Sequence, residues 1–209
     1  HPRRSRFGMI NLDKDGDVWT ITLNRPDKAN ALTGAMLDQL CDIIENAAAA
    51  KVLILTGSGK VFSAGADLDA ARAGLATSPL WERLSGAIAA HQGLTIAALN
   101  GTVAGGAMGM VLACDLRIAV DGAKFFYPVM KLGFLPQPSD PMRLRALIGP
   151  SRAKMILMCG IKIQTEQALA WGLIDHITDA AHLYDVAAQL ARDVRAATAS
   201  HISGIKALI

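Results

Sequence analysis

The uncharged run from Ile96 to Cys114 is the feature that most constrains how this chain can fold. It reads IAALNGTVAGGAMGMVLAC, and Asp115 follows it directly. The run is barely long enough to span a membrane; Asn100 and several glycines interrupt it, and its alanines contribute little transfer free energy. The glycines also fit neither common phosphate-loop pattern, GxxxxGK followed by Ser or Thr, or GxGxxG. The run therefore predicts a strand, a glycine turn and a buried helix.

The same order of elements is predicted twice, over residues 51–72 and again over residues 94–113. Each glycine turn leaves backbone N–H groups without partners at the start of a helix. Two such N–H groups that converge on one oxygen form an oxyanion hole. The spacing alone does not show convergence, and a close-packed core helix whose glycines admit a neighbour explains the second unit equally well.

Strands and helices alternate along the rest of the chain, which predicts an α/β fold. Apolar alternation and short apolar runs predict strands, whereas apolar residues at helical spacing predict helices, the first of them capped by Thr33. The predicted strands are 17–26, 51–59, 94–101 and 115–120, and the predicted helices are 33–50, part of 62–74, 79–92, 150–160, 165–172 and 180–197. Residues 123–141 contain four prolines and are predicted to be a loop.

Composition narrows the classes of partner. The chain has 209 residues, of which 52% are hydrophobic and 19% are charged, and its net charge is +3. The length and the hydrophobic fraction predict one domain with a full core. The low charged fraction favours apolar surface that partner subunits cover. The aromatic residues are scattered and form no nucleic-acid platform, and the mild basic balance suits a small anionic ligand. The cysteines are Cys41, Cys114 and Cys159; they show no CxxC spacing and are expected to be buried free thiols in a reducing, cytoplasmic compartment. No metal site is expected.

Five segments, taken together and in this order, resemble the enoyl-CoA hydratase/isomerase (crotonase) superfamily. They are LNRPDKANAL (23–32), VLILTGSGKVFSAGADL (52–68), IAALNGTVAGGAMGMVLACDLRIA (96–119), AKFFYPVMKLGFLP (123–136) and QTEQALAWGLID (164–175). The resemblance implies a spiral of ββα units with C-terminal helices, a homotrimer or dimer of trimers, and an acyl-CoA thioester as the ligand. It also implies an acyl-CoA-binding core over residues 1–150 and a helical region over 151–209. That helical region is expected to be incomplete, because typical members carry further helices.

The resemblance implies that two backbone N–H groups, those of Ala66 and Gly106, stabilise a thioester enolate. Gly65 and Gly105 would let the backbone turn and approach the thioester closely. The same resemblance assigns substrate binding to further positions around these turns, Lys28, Ser63, Ala64, Asp67 and Leu68. For Lys28 the expected role is at the edge of the coenzyme A pocket, and an ordinary exposed lysine is the alternative.

Two positions depart from the pattern of the family's hydratases. Hydratases that resemble this chain use two glutamates to activate and deliver water, and the matching positions here are Gly109 and Val129, which we assign only to substrate binding. The candidate for a replacement acid or base is Asp140, with Gln137 and Tyr127 near it in the sequence. The alternatives are that Asp140 is the turn residue of a Ser-Asp-Pro sequence and that Tyr127 only packs.

These observations leave three functions open. The first is an acyl-CoA enzyme of the enoyl-CoA hydratase/isomerase type, a lyase or isomerase of fatty acid metabolism whose hydratase activity is in doubt. The second is a non-catalytic acyl-CoA binding or carrier protein, and the third is a structural subunit without a ligand. No cofactor is expected apart from the coenzyme A of the substrate itself, and no nucleic-acid or membrane partner is expected.

Overall fold

The computed structural model describes residues 3–209 and has the expected α/β fold, a spiral of ββα units with helices at the C-terminus. The strands are β1 (Arg3–Phe7), β2 (Ile10–Asp15), β3 (Val18–Leu23), β4 (Val52–Gly57), β5 (Val61–Ser63), β6 (Leu94–Leu99), β7 (Thr102–Ala104), β8 (Leu116–Val120), β9 (Lys124–Phe126), β10 (Ile163–Gln164) and β11 (His176–Thr178). The helices are α1 (Gly34–Glu45), α2 (Leu68–Arg72), α3 (Leu80–Ala90), α4 (Ala107–Ala113), α5 (Val129–Leu132), α6 (Asp140–Ile148), α7 (Pro150–Leu157), α8 (Thr165–Trp171), α9 (Leu183–Ala196) and α10 (Ala199–Lys206). Three 3-10 turns, Pro26–Lys28, Leu75–Thr77 and Ala180–His182, complete the described elements.

The strands form two sheets that share the same succession of units. The larger sheet has the order β1-β2-β3-β4-β6-β8-β11, and its strands from β3 to β11 run parallel. The smaller sheet has the order β10-β9-β7-β5, with β5, β7 and β9 parallel. Each unit places its first strand in the larger sheet, its second strand in the smaller sheet, and its helix after them. This succession explains why the two predicted strand–turn–helix units end up side by side.

The core lies between the larger sheet and the helices. Strands β4, β6 and β8 carry almost continuous runs of buried apolar residues, as expected of parallel strands that are covered on both faces. Helix α9 packs across these three strands, and α4 lies between α3 and α6. All seven residues of α4 are buried, so the helical part of the uncharged run is a core helix. Across residues 3–209, no helix combines the length and the apolar character needed to cross a membrane.

The first predicted helix is shorter than expected. Thr33 caps α1 as predicted, since its side chain accepts a hydrogen bond from the N–H of Met36 at 3.2 Å. The helix ends at Glu45 instead of continuing to residue 50, and the N–H groups of Ala47 and Ala50 close two tight turns. The alanines favour a helix locally, but the chain must reverse here to enter β4 at Val52.

The predicted loop over residues 123–141 was wrong in three places. It contains β9 and α5, and α6 begins within it at Asp140. The pairing of β9 with β7 is a long-range contact that local sequence does not reveal. Proline interrupts the interior of a helix, but Pro128 precedes α5 and Pro141 lies in the first turn of α6, where a missing N–H costs nothing.

The cysteine prediction holds for two of the three residues. Cys41 and Cys114 are buried free thiols, and burial raises the pKa of Cys41 to about 11. Cys159 is also free, but it is exposed. It follows α7 in a surface turn, and of the apolar run before it Ile156 is buried whereas Met155 and Met158 are exposed.

Candidate active site

The two glycine turns are in direct contact. They follow β5 and β7, which are parallel neighbours in the smaller sheet. Gly65 has φ +90° and Gly105 has φ +59°, backbone conformations that favour glycine. A Cβ atom on Gly65 would lie 2.8 Å from the carbonyl oxygen of Ala104 and 3.5 Å from the nitrogen of Gly106. The absence of a side chain at Gly65 is therefore what allows the second turn to pack against the first.

The first turn presents the N–H group of Ala66 away from its neighbouring segment. The N–H of Leu32 donates to the carbonyl of Gly65 at 2.7 Å, and the N–H of Asp67 donates to the carbonyl of Leu32 at 2.8 Å. In a parallel bridge of this kind the residue between the two bonds directs its own N–H to the opposite side. Within the part of the chain that the structure describes, no acceptor receives the N–H of Ala66.

The second turn leaves the N–H of Gly106 equally unused. The N–H of Gly105 donates to the carbonyl of Phe126 at 3.0 Å, and the carbonyl of Gly105 accepts from the N–H of Met108 at 3.0 Å. No acceptor among residues 8–209 receives the N–H of Gly106. The ring of Trp81 covers this glycine, because a Cβ atom at Gly106 would lie 3.1–3.2 Å from three of its ring carbons. Trp81 carried no signal in the sequence, since its partner is far away along the chain.

Buried polar side chains fix the shape of the first turn. The hydroxyl of Ser63 accepts a hydrogen bond from the N–H of Gly65 at 3.1 Å and donates to the carbonyl of Asn30 at 2.8 Å. Asn30 is fully buried with φ +53°, and its Nδ2 donates to the carbonyls of Ser58 and Val61. An asparagine tolerates this left-handed conformation better than most residues. The turn is thus tied at both ends by satisfied hydrogen bonds.

Asp67 anchors the exit of the first turn. Its Oδ1 accepts from the N–H of Ala70 at 3.1 Å and caps α2, while its Oδ2 pairs with Nη1 of Arg25 at 2.9 Å. The helix N–H of Ala70 and the guanidinium of Arg25 together hold the pKa of Asp67 below its usual value. Leu68 begins α2 and is 73% exposed. The structure therefore gives Asp67 an architectural role and leaves Leu68 on an open surface.

Asp140 lies against Gly109, on the side of α4 where a longer residue would project. Asp140 is 1% exposed, and a Cβ atom on Gly109 would lie 2.8 Å from its Oδ1 and 3.0 Å from its Oδ2. The hydroxyl of Tyr127 donates to Oδ2 at 2.7 Å. Oδ1 is buried and has no hydrogen-bond partner among the described residues. The aspartate thus occupies the space that the glycine leaves and keeps one carboxyl oxygen free.

Burial dominates the protonation of Asp140. Loss of solvation is the largest effect and raises its pKa to about 6. The hydrogen bond from Tyr127 and the positive charge of Arg143 lower the pKa, whereas the negative charge of Glu82 raises it further. Burial, with the neighbouring carboxylate of Asp140, raises the pKa of Tyr127, so this phenol stays protonated. Glu82 was not predicted from the sequence, because it lies on α3 and meets the 137–140 segment only in the folded chain.

The remaining predicted positions contribute no hydrogen bond to the carboxyl group of Asp140. Val129 is buried at the start of α5, where its N–H donates to the carbonyl of Tyr127 at 2.9 Å, and it carries no ionisable group. Ala64 is exposed, and its N–H donates to the carbonyl of Ala29 at 3.0 Å. Lys28 is exposed at the end of a 3-10 turn.

Cleft size does not identify the site. Two clefts of about 600 and 630 Å³ are lined by other segments, one around His91 and Lys51 and the other around Leu116 and Ile205. None of the predicted site residues lines either cleft. The free backbone donors and the unpaired carboxyl oxygen carry more chemical information than the volume of these clefts.

We predict that Gly109→Ala destabilises the protein. The added methyl group would meet the Asp140 carboxyl group at 2.8 Å, and overpacking of this kind costs about 1–3 kcal/mol of unfolding free energy. Gly86→Ala in α3 is the matched control, because nothing lies within 4 Å of its added Cβ atom, and there alanine should stabilise by about 0.5–1 kcal/mol. Urea unfolding of both variants measures the difference, and a gain in stability for Gly109→Ala equal to that of Gly86→Ala would show that Asp140 does not sit against this helix.

Comparison with known proteins gives one consistent family. The family model described as enoyl-CoA hydratase/isomerase matches residues 13–209. The chain is similar to a short-chain-enoyl-CoA hydratase of Clostridium acetobutylicum (32% identical over 198 residues, covering 88% of this chain and 74% of the relative). It is 34% identical over 198 residues, with the same two coverages, to the carnitinyl-CoA dehydratase of Escherichia coli K12. The structure is similar to that of an enoyl-CoA hydratase from Bacillus anthracis (TM-score 0.87, 30% identity, covering 94% of this chain and 80% of that one). On its sequence and its fold, this chain belongs to the enoyl-CoA hydratase/isomerase (crotonase) superfamily.

Proposed function

We propose that the protein binds an acyl-CoA thioester with its carbonyl oxygen between the N–H groups of Ala66 and Gly106 and stabilises the enolate that forms there. The observation that carries this proposal is the contact of two glycine turns, each with a backbone N–H that has no acceptor among the described residues. Removal of a proton from Cα places negative charge on the thioester oxygen, and each preorganised donor stabilises such charge by about 3–4 kcal/mol. The Clostridium and Escherichia coli relatives carry the names of enzymes that act on CoA thioesters, which supports this substrate class.

Asp140 carries the proton in this proposal. Its Oδ1 is unpaired, and a pKa of about 6 leaves the group able to accept and release a proton near neutral pH. Its other oxygen is occupied by Tyr127. One free carboxyl oxygen suits a reaction that moves a single proton at the enolate carbon, and this step needs no metal and no cofactor beyond the coenzyme A of the substrate.

Hydration of an enoyl-CoA should be weak. That reaction needs one group to deprotonate water and another to protonate Cα, and each contributes roughly 10²–10⁴-fold. By the resemblance to hydratases, these two groups are expected at the positions of Gly109 and Val129, and neither residue can exchange a proton. A glutamate at position 109 also has no space while Asp140 stays in place. We therefore propose a lyase- or isomerase-type enzyme that is not an efficient hydratase.

We predict that the protein exchanges the Cα protons of butyryl-CoA with deuterated solvent, as measured by mass spectrometry. Asp140→Asn should slow this exchange by roughly 10²-fold or more, because the proton carrier is removed. Asp193→Asn removes an exposed carboxylate from α9 and should leave the rate unchanged. Crotonyl-CoA hydration by the unmutated protein should stay near background.

Three outcomes would contradict this proposal. Crotonyl-CoA turnover on the order of 10 per second would mean that other residues supply both acid and base. Binding of butyryl-CoA without any exchange would identify a non-catalytic acyl-CoA binding or carrier protein. No heat of binding with any CoA thioester would identify a structural subunit.

We also propose that the protein is a homotrimer or a dimer of trimers in the cytoplasm. Large exposed apolar side chains concentrate in one segment, namely Met130, Leu132, Phe134, Leu135 and Met142, and burial against a partner subunit would remove them from water. The free thiols suit a reducing compartment. A stable monomer at micromolar concentration by light scattering would contradict the assembly, and recovery outside the cytoplasm on cell fractionation would contradict the location.

A further inference from the structure

We propose that Tyr127 and Glu82 are positioning residues for Asp140: the phenol holds one carboxyl oxygen, and the glutamate holds the turn that carries the aspartate. This inference rests on the proposed function, because it takes Asp140 to be the proton carrier and concerns how that residue is held in place. It stands on contacts from two elements, α3 and the segment after β9, that reach Asp140 from different sides.

Tyr127 clamps the segment before α6 as well as the carboxyl group. The phenol is buried, donates to Oδ2 of Asp140 at 2.7 Å and accepts from the N–H of Gln137 at 3.2 Å. The side-chain Nε2 of Gln137 in turn donates to the carbonyl of Ala76 at 3.1 Å. The phenol therefore selects which carboxyl oxygen is bound, and Oδ1 is the one that stays free against Gly109.

Glu82 holds the residue immediately before the aspartate. Its carboxylate accepts hydrogen bonds from the hydroxyl of Ser139 and from the N–H of Ser139, the latter at 3.3 Å. Glu82 lies in the first turn of α3, next to Trp81, whose ring covers Gly106. One turn of α3 thus contacts both the second glycine turn and the start of α6. This arrangement couples the position of the proton carrier to the position of the backbone donor.

The two positioning residues act on the charge of Asp140 in opposite senses. The hydrogen bond from Tyr127 favours the carboxylate, and the negative charge of Glu82 favours the protonated acid. The other charged group that acts on Asp140 is Arg143, one turn further along α6, which favours the carboxylate. Helix α4, which packs against α6, has the sequence AMGMVLA and contributes no ionisable side chain. If the two residues had a purely structural role, their replacement would not shift the pKa of Asp140 in opposite directions.

The test is a pH titration of the Asp140 carboxyl carbon by NMR in the ligand-free protein, labelled with ¹³C-aspartate. The signal is assigned by its loss in Asp140→Asn, and its midpoint in the unmutated protein is expected near 6. Tyr127→Phe should raise the midpoint by about one unit, since a hydrogen bond to a charged group is lost. Glu82→Gln keeps an oxygen that can accept from Ser139 but removes the charge, and it should lower the midpoint by roughly half a unit.

The matched controls are Tyr184→Phe and Glu166→Gln, which change exposed residues of α9 and α8 and should leave the midpoint in place. A midpoint that stays unchanged in Tyr127→Phe and in Glu82→Gln, or that moves in the same direction in both, would overturn the inference. If Tyr127→Phe does not fold, Glu82→Gln decides alone: a lower midpoint supports the inference and an unchanged one overturns it. Opposite shifts combined with no Cα exchange by the unmutated protein would uphold the positioning and reject the proposed enolate chemistry.

Discussion

The close approach of the two glycine turns is the contact on which the candidate site depends. It requires β5 and β7 to be parallel neighbours, and it requires Gly65 to lack a side chain, because a Cβ atom there would lie 2.8 Å from the carbonyl of Ala104. A side chain at this position would push apart the two backbone segments that carry the N–H groups of Ala66 and Gly106. The succession of ββα units makes the two strands neighbours, and the missing side chain of Gly65 allows their turns to come into contact.

Buried polar groups complete the site at a cost in stability. Asn30 and Ser63 have their hydrogen-bonding groups satisfied, so they rigidify the first turn at little expense. Asp140 differs from them, because its Oδ1 is buried without a partner. Burial of an unpaired carboxylate costs free energy, and this cost favours the protonated acid. The raised pKa is the physical consequence of that burial. Asp140 lies next to Gly109, a position where the resemblance to hydratases implies a glutamate, and a buried group with a perturbed pKa at such a position is a candidate functional residue.

Much of the fold could be predicted from the sequence, whereas the contacts of the site could not. The apolar runs and glycine turns of residues 51–72 and 94–113 predicted the first strand, the turn and the helix of two successive units, because these signals are local. They did not predict the short second strands, β5 and β7. The start of α6 at Asp140 was not predicted, because prolines surround it and proline is typical both of loops and of the first turn of a helix. The partnership of Glu82 with Ser139 joins positions that are far apart along the chain, and no local pattern reports it. Residue types in the sequence identified Asp140 as a candidate, and only the fold showed its free oxygen against Gly109.

The central claim is that two backbone N–H groups bind the thioester carbonyl oxygen, and a pair of ligands tests it most directly. Butyryl-CoA and S-butyl-CoA differ in that the second, a thioether, has a methylene group in place of the carbonyl. Isothermal titration calorimetry of both against the unmutated protein measures what the oxygen contributes. Two hydrogen bonds of about 1 kcal/mol each predict that the thioester binds at least tenfold more tightly. Equal affinity for the two ligands would contradict the assignment of Ala66 and Gly106 as the oxyanion donors.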